Sequence, residues 1–394
     1  MGQQSSRPNT ECVREPCVLL KYTTNTAENH PHRLDETVGT GEIDGGRKEK
    51  MSWRRWPTLH FRCRRAAKYD LAQAEKDFQN NSGLYRRFSQ APTSEVVPAA
   101  EEQPEEEEPE EEESEEEQPE LDVLLKSPIC EFYEIGQKLG EGGFGSVYEG
   151  TRRVDGLKVA VKFSLKFPEM PYVKVPGHRK PLPNEIGLTL MANKGRQVPE
   201  IIKLLDWEDD SDHYIMVMER PSPCMDLFSF VELHGGILEE QTARHVMRQA
   251  VRAAQISCER RVFHRDIKLE NLLVNLDTME VKLIDFGCGA LMKNTAFDVF
   301  SGTEVYCPPE VEVYGKYYAK PTTVWSLGIL LFAMVCGSYP SDSDLYMINA
   351  NIWSSPGLSQ ECCQMICDCL QPWQQQRPIL KKMHLHDWFK VRLA

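Results

Sequence analysis

The glycine-rich segment GEGGFGSV, residues 140–147, constrains the fold most. Its glycines Gly140, Gly142 and Gly145 follow the G-x-G-x-x-G spacing, which also opens dinucleotide-binding folds. Such folds continue into a helix, with an acidic residue about 20 positions later. Here the segment continues into VYEGTRR, which has strand composition. The pattern therefore predicts a glycine-rich β-hairpin whose backbone can approach a phosphate without a clash from Cβ atoms.

The residues after Tyr133 change from strand composition to helical periodicity. Five short runs rich in β-branched and aromatic residues come first: YEIGQKLG, GSVYEGTRR, LKVAVKFSL, IIKLLDWED and HYIMVMER. After Pro223, apolar residues recur at spacings of three and four, as from Ala243 to Ala254. This order predicts an α+β fold of two lobes with a cleft between them.

One segment carries the charge imbalance of the chain. Lys and Arg number 46 and Asp and Glu number 60, for a net charge of −14. Residues 101–120 hold 14 Glu and no Lys or Arg, so the remainder is neutral, which argues against a nucleic-acid binder. We interpret residues 1–125 as a disordered extension and 101–120 as a solvated linker, with binding to a basic surface as the alternative.

The first residues suggest contact with a membrane surface. MGQQSS matches the N-myristoylation pattern at Gly2, and stable anchoring needs a second signal. Palmitoylation of Cys12 or Cys17 is one candidate, and the basic stretch 47–68, with nine Lys or Arg against one Glu, is another. That stretch is equally typical of a nuclear-import signal or of a partner for the Glu-rich linker.

The cysteines favour a cytoplasmic location. Ten of the 13 Cys lie at or after Cys130, which favours reduced thiols over a disulfide scaffold. The C-C-x₃-C-x-C group from Cys362 to Cys369 lacks zinc-site spacing and predicts buried core. The apolar run 327–337 is too short to cross a bilayer, and the first twenty residues do not form an apolar signal segment.

Three further motifs carry phosphate and metal chemistry. Seventeen residues after Gly145, Lys162 in VAVK can pair with the α and β phosphates of a nucleotide. In HRDIKLEN, residues 264–271, Asp266 can accept a proton from a substrate hydroxyl, and Lys268 can neutralise charge on a transferring phosphoryl group. Asn271 and Asp285, the Asp of DFG, complete the set. Both carry side-chain oxygens, which are the ligands that Mg²⁺ prefers.

In this order the motifs resemble those of protein kinases over residues 131–390, with an amino-terminal lobe at 131–220 and a carboxy-terminal lobe at 224–390. The segments ERPSPCMDLFSF, GTEVYCPPE, DFGCGALMK and TVWSLGILLFAMVCG are similar to those of the Pim serine/threonine kinases. The resemblance implies the two-lobed kinase fold, with a small antiparallel sheet and one main helix before a larger helical lobe. It also implies a monomer that uses ATP and Mg²⁺ to phosphorylate Ser or Thr.

The resemblance assigns roles to further residues. It implies an ion pair of Glu185 with Lys162, and a structural pair of Glu310 with Arg377. Pro221 stands where most kinases donate a backbone N–H to adenine, so only the Glu219 carbonyl is expected to bond it. The expected apolar contacts to adenine are Leu139, Val147, Ala160, Met218, Leu273 and Ile284.

The resemblance also implies a preference for Arg-rich substrate segments, read by acidic side chains such as Glu270. Asp226 is expected to bind ribose or a basic substrate side chain. Ser229 and Leu269 replace two Asp residues of the family, which weakens this expectation.

The resemblance to Pim kinases also implies activity without phosphorylation of the segment after DFG. Thr295, Ser301 and Thr303 are the candidate sites between DFG and PPE, and we predict that none must be phosphorylated.

Two rival hypotheses remain: a pseudokinase scaffold that binds partners, and a tether in which the first 125 residues are the main functional part.

Overall fold

The computed structural model describes residues 119–143 and 145–391, with side chains from residue 121. The predictions for Gly2, for the basic stretch 47–68 and for the Glu-rich residues up to 118 lie outside the described residues.

A five-stranded antiparallel sheet forms the amino-terminal lobe, in the order β1-β2-β3-β7-β6. These are the five strands predicted from composition: β1 Tyr133–Gly142, β2 Gly145–Arg152, β3 Lys158–Leu165, β6 Leu204–Asp209 and β7 His213–Glu219. A separate hairpin of β4, Tyr172–Val173, and β5, Leu182–Pro183, leads into the helix α3, Asn184–Ala192. The small sheet with one main helix is therefore confirmed.

Alternation along β3 gives the sheet two different faces. Val159, Val161 and Phe163 are buried in the cluster on the outer face. Ala160 and Lys162, between them, lie on the opposite face, because successive side chains of a strand point to opposite sides. This register places the lysine of VAVK on the side of the sheet that carries α3.

A helix lies where the sequence predicted disorder. Disorder was expected through residue 125, but α1, Pro119–Leu125, and α2, Ile129–Phe132, precede the sheet. The physical reason is the apolar run LDVLL after the last Glu, since Leu124 is fully buried against the outer face of the sheet. Proline suits the first turn of a helix, so α1 can begin at Pro119.

The carboxy-terminal lobe is mainly helical, as predicted. Its helices are α4 Leu227–Leu233, α5 Glu240–Glu259, α6 Pro309–Tyr314, α7 Ala319–Cys336, α8 Asp342–Asn349 and α9 Gln360–Cys369. Short strands border the cleft: β8 Cys224–Asp226, β9 Val262–Phe263, β10 Leu272–Asn275, β11 Val281–Leu283 and β12 Ala290–Leu291. The strands β11, β10 and β8 form a three-stranded sheet.

Helix α7 is the centre of this lobe. By length and composition alone it is long and apolar enough to cross a membrane. However, 83% of it is buried inside the protein, and it lies in the largest core cluster. A helix that is apolar on all sides is typical of such a core position.

The cysteine group belongs to the core, as predicted. Cys362, Cys363, Cys367 and Cys369 are buried on α9 within the same cluster as α7. Among the described residues, every cysteine is a free thiol, and side chains of His, Cys, Asp and Glu do not converge on a metal site.

Candidate active site

The glycine-rich segment is a β-hairpin, as predicted. Gly142 of β1 pairs with Gly145 of β2 across the turn. Gly145 has a φ of +120°, and a Cβ there would lie 2.0 Å from the carbonyl oxygen of Phe163, so only glycine fits. A Cβ on Gly140 or Gly142 would meet no atom within 4 Å, so these two positions border open space.

Lys162 lies between two carboxylates at the back of the cleft. Its Nζ is 2.6 Å from Oε1 of Glu185 and 3.6 Å from Oδ1 of Asp285. Glu185 is the second residue of α3, and its Oε2 accepts a hydrogen bond from the Tyr214 hydroxyl at 2.8 Å. The predicted ion pair is therefore present and joins α3 to the sheet.

Burial and charge act in opposite directions on this group. Burial raises the pKa of Glu185 even though Lys162 opposes the change. Burial favours the neutral form of Lys162 too, but Asp285 and Glu185 together raise its pKa. Burial likewise disfavours the charged form of Asp285, yet Lys162 and the Gly287 N–H leave its pKa lowered. A charged lysine beside a charged Asp285 is the arrangement that results.

His264 supports the loop that carries Asp266. Burial lowers the pKa of His264, which favours the neutral ring. Its Nε2 lies 2.9 Å from the Ile284 carbonyl oxygen and acts as the donor, while its Nδ1 accepts from the Asp266 N–H at 3.3 Å. The ring thus links the HRD loop to the strand that ends at DFG.

Asp266 is the centre of a buried hydrogen-bond network. Nδ2 of Asn271 donates to the Asp266 backbone carbonyl at 2.8 Å and to its Oδ2 at 3.0 Å. The Lys268 ammonium lies 3.2 Å from the same Oδ2. The structure therefore brings together the three predicted side chains of HRDIKLEN.

Thr303 belongs to this network and was missed as a site residue. Its N–H and its hydroxyl donate to Oδ1 of Asp266 at 2.9 Å and 2.7 Å. The hydroxyl also accepts from Lys268 at 2.8 Å, and the residue is buried. The sequence had marked Thr303 only as a candidate phosphorylation site. Its position in GTE, five residues before PPE, was the available signal.

The arrangement fits a magnesium ion. Because the amide nitrogen of Asn271 is bonded to Asp266, its amide oxygen is the atom that can coordinate a cation. Asp285 contributes a carboxylate whose lowered pKa keeps it charged. Both are oxygen donors, as Mg²⁺ requires, and nucleotide phosphates and water can complete the coordination.

The predicted adenine-binding residues are partly exposed side chains on or next to strands of both lobes. Ala160 of β3 and Met218 of β7 are direct partners in the sheet, and both are only half-buried. Val147, Leu273 and Ile284 are likewise half-buried on elements whose neighbouring residues are mostly buried, and Leu139 is 46% exposed. Half-buried apolar side chains on strands bordering one gap are typical of a ligand cleft.

Asp226 ends the strand β8 and directly precedes the helix α4. Its two carboxylate oxygens accept from the N–H and the hydroxyl of Ser229, at 2.8 Å and 2.9 Å, and so cap α4. Leu269, the other departure from the family pattern, is buried in the core. Glu270 has a buried Oε2 that meets no hydrogen-bond donor in the described part of the chain.

The Glu310–Arg377 pair is present and structural. Arg377 donates to both carboxylate oxygens of Glu310, at 2.8 Å and 2.6 Å, and both side chains are almost fully buried. Arg377 also donates to the carbonyls of Gln371, Pro321 and Pro372. The pair fixes the segment after DFG to the core of the carboxy-terminal lobe.

Comparisons with known proteins agree with this geometry. The protein kinase domain family matches residues 133–389. The chain is 42% identical over 261 residues to serine/threonine-protein kinase pim-2 of Danio rerio, covering 65% of this chain and 84% of that protein. It is 35% identical to serine/threonine-protein kinase prk-2 of Caenorhabditis elegans, over 66% of this chain and 58% of that protein.

A PAS domain-containing serine/threonine-protein kinase of Mus musculus is 31% identical over 65% of this chain and 18% of its own length. The matched region in each case has the extent of the two lobes. The chain therefore belongs to the protein kinase family, as a Pim-like serine/threonine protein kinase.

Proposed function

We propose that this kinase transfers the γ-phosphate of ATP to Ser or Thr hydroxyls with Asp266 as the base. The observation that carries the proposal is the buried network in which Asn271, Lys268 and Thr303 all bind Asp266. A carboxylate held in this way can orient a substrate hydroxyl and accept its proton, while Lys268 stabilises charge on the transferring group. This arrangement supports catalysis more than a passive scaffold.

The nucleotide is held by groups at both ends of the cleft. Lys162, oriented by Glu185, binds the α and β phosphates beneath the glycine hairpin. Asn271 and Asp285 hold Mg²⁺, which supplies charge neutralisation for the phosphates. At the hinge, Pro221 has no N–H, so the Glu219 carbonyl is left as the hinge partner of adenine.

Glu270 favours a basic substrate segment. Its buried Oε2 meets no donor in the described part of the chain, and leaving such an atom unpaired costs about 1–3 kcal/mol or more. Glu270 as a whole is half-buried rather than enclosed, so a substrate guanidinium would reach its carboxylate and form a charge-assisted bond with it. Because Ser229 already uses both oxygens of Asp226, Glu270 is the better placed of the two carboxylates.

The pKa of Glu270 gives this proposal a pH dependence. Burial is the main cause that raises the pKa of Glu270. Among the nearby charged groups, Lys268 lowers this pKa, whereas Asp266 and Asp226 raise it. Tyr306 and Tyr339 are neutral neighbours. A protonated Glu270 binds guanidinium poorly, so KM for an Arg-rich peptide should fall as pH rises through the raised pKa. An Ala-substituted peptide should show no such change.

Steady-state kinetics on the two peptides tests the preference. Glu270→Gln should raise KM for the Arg-rich peptide by about tenfold, since a bond to a charged group contributes about 1.5–3 kcal/mol, and should leave the Ala peptide unaffected. Equal KM values for both peptides in the unsubstituted protein would refute the Arg preference while leaving phosphate transfer itself intact.

Activity without phosphorylation is the last part of the proposal. Phosphorylation orders many kinase activation segments through new pairs between Arg and phosphate. Here Arg265 already donates to the carbonyls of Cys288 and Gly289, at 2.5 Å and 3.2 Å. The Lys162–Glu185 pair is also formed without any phosphate. These contacts support an assembled site in the unmodified chain.

The first residues, MGQQSS, support a proposal about location. We propose a cytoplasmic protein with peripheral membrane contact through a myristoylated Gly2. Mass spectrometry of the protein from a eukaryotic host tests this directly, and an unmodified Gly2 would refute it.

A further inference from the structure

A basic loop projects from the amino-terminal lobe between β4 and β5. Lys174, Arg179 and Lys180 are exposed there, and residues 170–184 contain no Asp or Glu. None of the three cations forms a hydrogen bond or ion pair with a described residue. We call residues 174–180 the basic loop.

The basic loop is held in place by packing at its base. Val173 and Val175 are buried in the cluster that includes Ile186 of α3. The approach is close, because a Cβ on Gly187 of α3 would lie 2.2 Å from Val173. His178 packs against Trp207, with ring centroids 5.9 Å apart. A loop fixed in this way loses little conformational entropy when it binds a partner.

The edge strand β6 contacts both this loop and the segment that follows α1. Trp207 contacts His178 on one side, and its neighbour Glu208 accepts a hydrogen bond from the Ser127 hydroxyl at 2.6 Å. Ser127 lies two residues after the end of α1, whose Leu124 is buried against the sheet. The chain before Pro119 therefore leaves the protein from the amino-terminal lobe, the same lobe that carries the basic loop.

That preceding chain is the Glu-rich segment 101–118, which contains 13 Glu and no Lys or Arg. Eighteen residues span at most about 60 Å, enough to reach any part of this small lobe. Tethering so close to a target gives an effective concentration on the order of millimolar, so modest attraction is enough for binding. We propose that segment 101–118 binds the basic loop of its own molecule.

The chain contains a second basic segment that the Glu-rich segment could bind. The basic stretch 47–68 carries nine Lys or Arg and is also tethered to the Glu-rich segment. The basic loop has the advantage that it is already ordered and lies on the same lobe as α1, where the segment joins the sheet. The two targets carry different lysines, which separates them experimentally.

Carbodiimide cross-linking of the full chain tests the proposal, because it joins carboxylates and amines only in direct contact. Mass spectrometry should find links from Glu101–Glu117 mainly to Lys174 and Lys180, within one molecule. Links mainly to Lys48, Lys50 and Lys68, or between molecules, would overturn it. So would equal yields at the exposed Lys381 and Lys382.

A charge reversal makes the test sharper. Arg179→Glu leaves both reporter lysines in place and should lower their cross-link yield at least several-fold. About 1 M salt should do the same, since the Debye length falls to about 3 Å. The matched control Arg196→Glu reverses an exposed charge of the same lobe outside the loop and should have no effect. Equal losses in both variants would contradict binding at the basic loop.

Discussion

At the scale of single residues, Thr303 changes the interpretation of the segment after DFG. The sequence presents it as a hydroxyl for modification, but the structure gives that hydroxyl to Asp266 and Lys268. A phosphate cannot occupy a buried oxygen that already bonds two groups of the site. Alanine at Thr295, Ser301 and Thr303 together is therefore a poor test of phosphate dependence, since loss of activity would have two explanations.

Separate substitutions resolve this ambiguity. Thr303→Val keeps the shape but removes the hydroxyl, and should lower kcat by about 10²-fold or more because Asp266 and Lys268 lose their common partner. Thr303→Ser retains the hydroxyl and should recover most of the activity. The expected control is Thr295→Ala, with kcat unchanged. Full activity of Thr303→Val would show that the hydroxyl has no part in the reaction.

The site residues differ in how far sequence could locate them. Motif spacing predicted Lys162, Asp266 and Asp285, and the family resemblance predicted Glu185. The fold brings Lys162, Glu185 and Asp285 together. The carboxylate pairing of Asp226 with Ser229 was not predicted, since a cap depends on where a helix begins.

At the scale of elements, α1 shows why an apolar run matters next to a charged one. Composition predicted disorder through residue 125, yet Leu124 is fully buried while Leu125 is 51% exposed. Five residues with three Leu can bury enough surface on a neighbouring sheet to form a helix, and a window dominated by Glu conceals this.

These two leucines form a matched pair for a stability test. Leu124→Ala should lower the free energy of unfolding by about 2–5 kcal/mol, because it leaves a cavity against the sheet. Leu125→Ala should change it by about 0.5 kcal/mol or less. Denaturant unfolding measures both, and equal effects would show that α1 does not pack on the lobe.

The cysteines give a prediction for alkaline pH. Burial raises the pKa of Cys288 and of Cys336 to about 12, and that of Cys367 to about 11. The pKa of these thiols is higher in the folded protein than in the unfolded chain, where it is near 9. They therefore contribute stability that is complete below about pH 9 and is lost as pH rises through the folded-state pKa. These thiols should resist iodoacetamide at about pH 9 until denaturant is added. Rapid labelling of Cys288, Cys336 and Cys367 in the folded protein would contradict this prediction.

At the scale of the whole molecule, Glu310 and Arg377 connect the catalytic segment to the core. Removing one partner of a buried ion pair leaves an uncompensated charge and costs about 3–5 kcal/mol. Glu310→Gln should therefore lower the thermal midpoint clearly, whereas Asp387→Asn, in an exposed pair with Lys390, should leave it unchanged. Similar midpoints for both variants would show that the buried pair does not hold the lobe together.

The two-lobed architecture followed from sequence because local and global patterns agree. The five strands of the amino-terminal sheet precede the helices of the carboxy-terminal lobe, and the HRD and DFG motifs fall in loops that follow short strands. The network that joins Thr303 to Asp266 spans 37 residues of sequence, so only the folded chain brings it together.

The central claim is that the unmodified chain holds a complete phosphoryl-transfer site centred on Asp266. Phosphatase-treated full-length protein, assayed with ATP, Mg²⁺ and an Arg-rich Ser peptide, tests it most directly beside Asp266→Asn. We expect turnover by the treated protein and a fall in kcat of about 10²–10⁴-fold in the variant, with the nucleotide still bound. An inactive treated protein, or equal kcat in both, would contradict it.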